Sequence, residues 1–134
     1  MKIRGADFVM FQVRDLATAA RFYRDVLGLP PEIFSEEHQW AEFNCGNVTL
    51  ALKGGAAAPG GGAGARLALA GEDFAAAHAE LRRRGARLVG GPEDHGVCQH
   101  LEGLDPDGRV VILHHRADGT FGASPPAVRT AACP

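Results

Sequence analysis

Cysteine is scarce in this 134-residue chain, and Cys45, Cys98 and Cys133 are an odd, scattered set with no CxxC pair. That usage argues against a thiolate zinc centre and against a disulfide framework, so reduced thiols in a cytoplasm are the expected state. Charge of one sign is lacking too. A formal net charge of −2 supplies no field to gather nucleic acid or an anionic membrane, and neither is expected as a partner. No apolar run approaches the ~20 residues that a bilayer requires. The opening MKIRGADFVMFQVRD returns to charged residues too soon for a secretory signal. Aromatic residues make up 7% of the chain and include one tryptophan, Trp40, so an aromatic ligand platform has few candidates. The remaining profile, 46% hydrophobic and 22% charged, is that of one soluble domain large enough to bury a core.

What the chain does have is a pattern stated twice. FVMFQV (8–13) alternates as a strand does. Asp15 then caps LATAARFYRDVL, whose Leu16, Ala19, Ala20, Tyr23, Val26 and Leu27 fall at helical spacing, and Gly28 ends the helix. EIFSE, WAEFN and, after a Cys45-Gly46 turn, NVTLALK read as strands. The order recurs with RLALA (66–70), the cap Asp73, the helix FAAAHAELRRR and its stop Gly85. ARLVGG and CQHLEG are short strands, the DPDG turn follows, and RVVILHH closes the set. Asp15 lies seven residues after Phe8, and Asp73 lies seven after Arg66. Gly46 opens NVTLAL as Gly108 opens RVVILH.

The predicted class is therefore α+β: two βαβββ modules in an open, curled eight-stranded mixed sheet with helices on its outer face. Residues 1–116 form the domain, with modules at about 5–53 and 65–116. Between them KGGAAAPGGGAGA (53–65) is a flexible linker that reaches roughly 20 Å as a coil. Residues 117–134 lack periodicity, hold three prolines and read as a tail. Three strands after each helix argue against a ferredoxin-like βαββαβ order.

Three stretches, VRDLATAARFYRDVLGL (13–29), WAEFNCGNVTLAL (40–52) and LEGLDPDGRVVIL (101–113), carry a likeness. With the paired βαβββ order, the chain resembles the vicinal oxygen chelate superfamily, which groups glyoxalase I, bleomycin-resistance proteins and extradiol dioxygenases. The resemblance implies a homodimer whose sheet curls around a ligand cleft. In metal-using relatives His, Glu or Gln ligands project from the first and last strand of each module. Carried across by motif, those positions are Phe8, Leu50, Arg66 and Ile112. None offers the carboxylate oxygen or imidazole nitrogen that a divalent ion takes, so no metal and no cofactor is expected at these positions.

Strand alternation then nominates the cleft wall. The first strand contributes Phe8, Met10 and Gln12; WAEFN contributes Trp40 and Glu42; NVTLAL contributes Leu50 and Leu52. The second module contributes Arg66, Ala68, Ala70, His100, Ile112 and His114, with His115 facing the other way. Trp40 and Phe8 suit stacking on a planar ligand, and Met10 offers an adaptable surface. Each has a plainer reading. Trp40 is also a core residue by type, Arg66 is also a snorkelling strand-end residue, and Glu42 is also a solvated edge group or the partner of Arg66, its best catalytic role being a desolvated general base. Phe8, Leu50 and Ile112 together would also make a hydrophobic plug with no ligand. Asp105 and Asp107 are assigned to shaping their turn.

The leading functional expectation is metal-independent sequestration of a small, partly planar organic molecule, as in bleomycin-resistance proteins. The alternative is a lyase, isomerase or dioxygenase with a metal displaced to His100, Glu102 and His114. A third is an accessory dimer whose cleft is closed.

Overall fold

The computed structural model describes residues 1–2, 6–55 and 66–122. Most of the expected linker and the tail beyond residue 122 lie outside the described residues.

The element order is βαβββ twice. In the first module β1 (Phe8–Gln12) leads into α1 (Leu16–Arg21), followed by β2 (Pro31–Ser35), β3 (Trp40–Asn44) and β4 (Thr49–Lys53). In the second, β5 (Leu67–Ala70) leads into α2 (Phe74–Arg83), then β6 (Arg87–Asp94), β7 (Cys98–Leu104) and β8 (Val110–Arg116). Each module builds a four-stranded mixed sheet, ordered β1-β4-β3-β2 in the first and β5-β8-β7-β6 in the second. In both, the first strand pairs in parallel with the last, and the other pairs are antiparallel. The expected α+β class and its doubled βαβββ order are what the structure shows. The chain divides into two compact units, Met1–Gly60 and Gly61–Pro134, with the division inside the Gly/Ala stretch.

The duplicated local signals have duplicated structural consequences. Asp15 and Asp73 are both extended N-caps, whose carboxylates accept from the backbone N–H of Thr18 and Ala76 at 2.9 and 3.0 Å. Each satisfies one of the N–H groups that a helix start leaves unpaired. Gly28 and Gly85 end the helical segments at φ +72° and +77°, a conformation with a steric penalty for any residue carrying a Cβ. One detail departs from a plain helix over 16–27. After Arg21 the chain widens into a π turn, Phe22–Val26, in which Leu27 N–H donates to the Phe22 carbonyl at 3.1 Å. The turn leaves Tyr23 fully buried, with its ring 6.2 Å from that of Phe43.

Burial follows strand alternation on β3 and departs from it at Ala51 of β4 and Cys98 of β7. In the first module Phe11, Phe43, Leu50 and Leu52 join Leu16 and Ala19 of α1 in the core. Each large side chain among them contributes about 1.5–3 kcal/mol by leaving water. In the second module Leu101 and Val111 are buried on one face of the sheet, as are Phe74 and Leu81 of α2, and Cys98 is buried at the other parity of β7. Cys45 is a free thiol. No described helix is long and apolar enough to cross a membrane.

Candidate functional site

Residues paired across a sheet project to the same face, so strand register fixes which candidates lie together. In the first module Met10 pairs with Ala51 and Ala51 with Glu42. Gln12 pairs with Lys53 and Lys53 with Trp40, while Phe8 pairs with Thr49. Phe8, Met10, Gln12, Trp40 and Glu42 therefore share one face, as alternation predicts. Phe8 is 51% exposed and Met10 43%, large values for apolar strand residues opposite a filled core. The rings of Phe8 and Trp40 meet edge to face, with centroids 6.0 Å apart and planes at 87°. Ala51 lies in the row between theirs, and its methyl leaves the two large rings room to approach. Polar groups border this apolar patch. Lys53 Nζ donates to the His38 carbonyl at 2.7 Å, and Gln12 and Glu42 stand in neighbouring rows.

Leu50 and Leu52 do not belong to that face. Leu50 pairs with Val9 and Phe43, and Leu52 with Phe11 and Ala41, so both occupy the core side, at 1% and 0% exposure. The reason is one residue of turn length. The first turn closes with Cys45 N–H on the Val48 carbonyl, whereas the DPDG turn closes with Asp105 N–H on the Arg109 carbonyl. Aligning the two modules through Gly46 and Gly108 thus shifts the fourth strand by one, and a shift of one turns a strand residue to the opposite face. Leu50 corresponds to Val111, also buried, and the counterpart of Ile112 is Ala51.

In the second module Ala68 pairs with Ile112 and Ile112 with Glu102, while Ala70 pairs with His114 and His114 with His100. These residues share one face as expected. Arg66, just before β5, places Nη1 3.4 Å from Glu102 Oε1. The sequence reading offers Glu42 as the partner of Arg66; the structure supplies Glu102. His115 lies on the opposite face, with Nδ1 2.8 Å from the Gly71 carbonyl. Asp105 is structural as expected. It accepts from the backbone N–H of Asp107 and Arg109 at 2.9 and 2.8 Å and from Arg109 Nη1 at 3.1 Å, in a buried pair.

The corrected register leaves the metal argument intact. Phe8, Ala51 and Ile112 have no lone pair to give, and the guanidinium of Arg66 carries the charge of the ion it would meet. Glu102 of the displaced set His100, Glu102 and His114 turns to Arg66, and among the described residues the His/Glu group whose ligand atoms lie within 4.8 Å of one another is Glu93, His95 and His100 instead. Glu93 and His95 were missed in the sequence because ARLVGG reads as a strand ended by its glycines. The strand in fact continues through Asp94, with register shifts on either side of Gly90. The available signal was the spacing in EDHGVCQH, where a glycine-containing turn folds two histidines back toward one glutamate.

Comparisons with known proteins follow the same lines. The sequence profile of the Glyoxalase/Bleomycin resistance protein/Dioxygenase superfamily matches residues 5–113. No curated protein matches the sequence. Among solved structures, an antibiotic-binding protein from Streptomyces sp. CB03234 is similar at TM-score 0.75 and 24% identity, over 87% of this chain and 99% of that one. A putative glyoxalase family protein from Bacillus anthracis is similar at TM-score 0.73 and 18% identity, over 87% and 98%. A virulence protein from Salmonella typhimurium is similar at TM-score 0.71 and 23% identity, over 87% and 100%. At these identities the likeness is one of fold.

Proposed function

Because the chain belongs to the Glyoxalase/Bleomycin resistance protein/Dioxygenase superfamily but presents apolar side chains and a guanidinium where metal-using relatives place ligands, we propose that it captures a small organic molecule without a metal at those positions. The observation that carries this reading is the half-exposed apolar face of β1, β3 and β4. Phe8 and Met10 stay partly exposed opposite a filled core, and Trp40 closes on Phe8 at 6.0 Å. An aromatic corner of that kind binds a planar ligand by stacking and apolar burial. Gln12 and Glu42 border it and set orientation through hydrogen bonds; the second module's own face offers Arg66, His100 and His114 as charged and polar groups. Leu50 and Leu52 support the wall from behind, and Ala68 and Ile112 line the second face. Sequestration requires affinity and no chemical step. The likeness in fold to an antibiotic-binding protein supports the same ligand class. The functional unit proposed is a homodimer, for which sedimentation equilibrium is the measurement.

The test is titration of tag-free, EDTA-treated protein with a panel of planar aromatic antibiotics and metabolites, following Trp40 emission. Saturable quenching that Phe8→Ala weakens supports capture. Unchanged emission across the panel, with no heat of binding by calorimetry, refutes it.

A further inference from the structure

The β6–β7 hairpin carries a group of which the capture reading names only His100. Glu93 pairs with His100 across the hairpin, and His95 stands in the turn between them. Glu93 Oε2 lies 3.3 Å from His95 Nε2 and 3.5 Å from His100 Nε2. The two imidazoles are stacked, with centroids 5.1 Å apart and planes inclined by 17°. Three donors thus converge from one short hairpin.

Those distances are informative. A charge-assisted N–H···O bond closes to about 2.7–2.9 Å, and both contacts here are longer. Ligands about 2.0–2.1 Å from a tetrahedral ion stand about 3.3 Å from one another, the edge of the tetrahedron. The separations from Glu93 to each histidine match that edge. The hairpin also holds the donors in place. His95 N–H donates to the Cys98 carbonyl at 2.8 Å. Asp94 Oδ1 accepts from Gly96 N–H at 2.8 Å, and Asp94 Oδ2 accepts from Gln99 Nε2 at 3.4 Å. A ligand set on a hydrogen-bonded scaffold loses little conformational freedom when an ion arrives.

We infer that Glu93, His95 and His100 form a binding site for a first-row divalent transition ion of the zinc type. Two imidazoles and one carboxylate select zinc and its neighbours over magnesium or calcium, which take oxygen ligands. Three protein ligands leave a coordination position to water or to an anionic group of a bound molecule. The site is separate from the four positions of metal-using relatives. It does not rest on the capture reading, because metal uptake is measured with no organic ligand present.

Tag-free full-length protein is stripped with EDTA, exchanged into chelator-free buffer and titrated with Co²⁺, following visible absorption, with Zn²⁺ as competitor. His95→Ala, Glu93→Gln and His100→Gln are compared with His38→Ala and His78→Ala, which lie away from the hairpin, and with His114→Ala. The expected result is one equivalent of Co²⁺ in a low-symmetry or tetrahedral spectrum, displaced by Zn²⁺. Each of the three hairpin variants should weaken it by roughly ten-fold or more, since even outer-shell changes cost that much. Far-UV circular dichroism confirms folding, and the exposed His95 and Glu93 positions make unfolding of those variants unexpected. No uptake by the parent protein would overturn the assignment. So would uptake unaffected by His95→Ala, or uptake lost with His114→Ala while His95→Ala retains it.

Discussion

Replacing Leu50 by alanine tests the strand register on which the site description depends. Leu50 is 1% exposed and shares its row with Val9 and Phe43 on the core side. The substitution removes the equivalent of three methylene groups, worth about 0.8 kcal/mol each in transfer alone, or roughly 2.4 kcal/mol. A residual cavity adds to that, so about 3–4 kcal/mol of lost stability is expected, within the usual span for buried Leu→Ala. With a urea m-value near 2 kcal/mol/M, the midpoint should fall by roughly 1.5–2 M. Met10→Ala, on the exposed face, should change stability by about 0.5 kcal/mol or less. Urea titrations followed by far-UV circular dichroism measure both. If Leu50→Ala cost under about 1 kcal/mol while abolishing ligand binding, Leu50 would line the cleft and the register would be refuted.

Other outcomes follow from individual contacts. Asp105→Ala removes three hydrogen bonds and leaves Arg109 buried without that carboxylate, so a loss of about 3–5 kcal/mol is expected in the same assay. The double variant Asp105→Ala/Arg109→Met should recover part of it, and strict additivity would contradict the pairing. Asp73→Ala deletes the cap of α2 and should cost about 1 kcal/mol, read from the melting temperature. The carboxyl of Asp15 is held below its ordinary pKa, chiefly by the Thr18 backbone N–H it accepts, so its stabilising effect is full above the ordinary aspartate range. It fades as pH falls through the lowered value, and acid melts of Asp15→Asn should lack that decline. Burial raises the Cys45 thiol pKa, so iodoacetamide should modify native protein more slowly at neutral pH than urea-unfolded protein.

The fold was legible because its local signals repeat. Two aspartate caps, two glycine stops and two runs of alternating apolar residues mark the same βαβββ order, and each has a local physical cause. The face of β1 was equally legible, since Phe8, Met10 and Gln12 alternate with a uniformly apolar Val9, Phe11 and Val13. Leu50 and Leu52 are misplaced by aligning the modules through Gly46 and Gly108, whose turns differ by one residue; the strand's own alternation, Val48, Leu50 and Leu52 against Asn47, Thr49 and Ala51, points the leucines to the core. The β6–β7 hairpin was illegible for a related reason. Its register shifts on either side of Gly90, so no simple period extends from Arg87 to Asp94. The pairing of Glu93 with His100 exists only once that irregularity is known.

Fluorescence titration of EDTA-stripped, tag-free protein with planar aromatic ligands, before and after Zn²⁺ is restored, bears most directly on capture without the family's metal. Quenching that saturates in the stripped protein, survives His95→Ala and weakens with Phe8→Ala is the predicted result. Binding that appears only after the ion is restored, and is indifferent to Phe8, would contradict it.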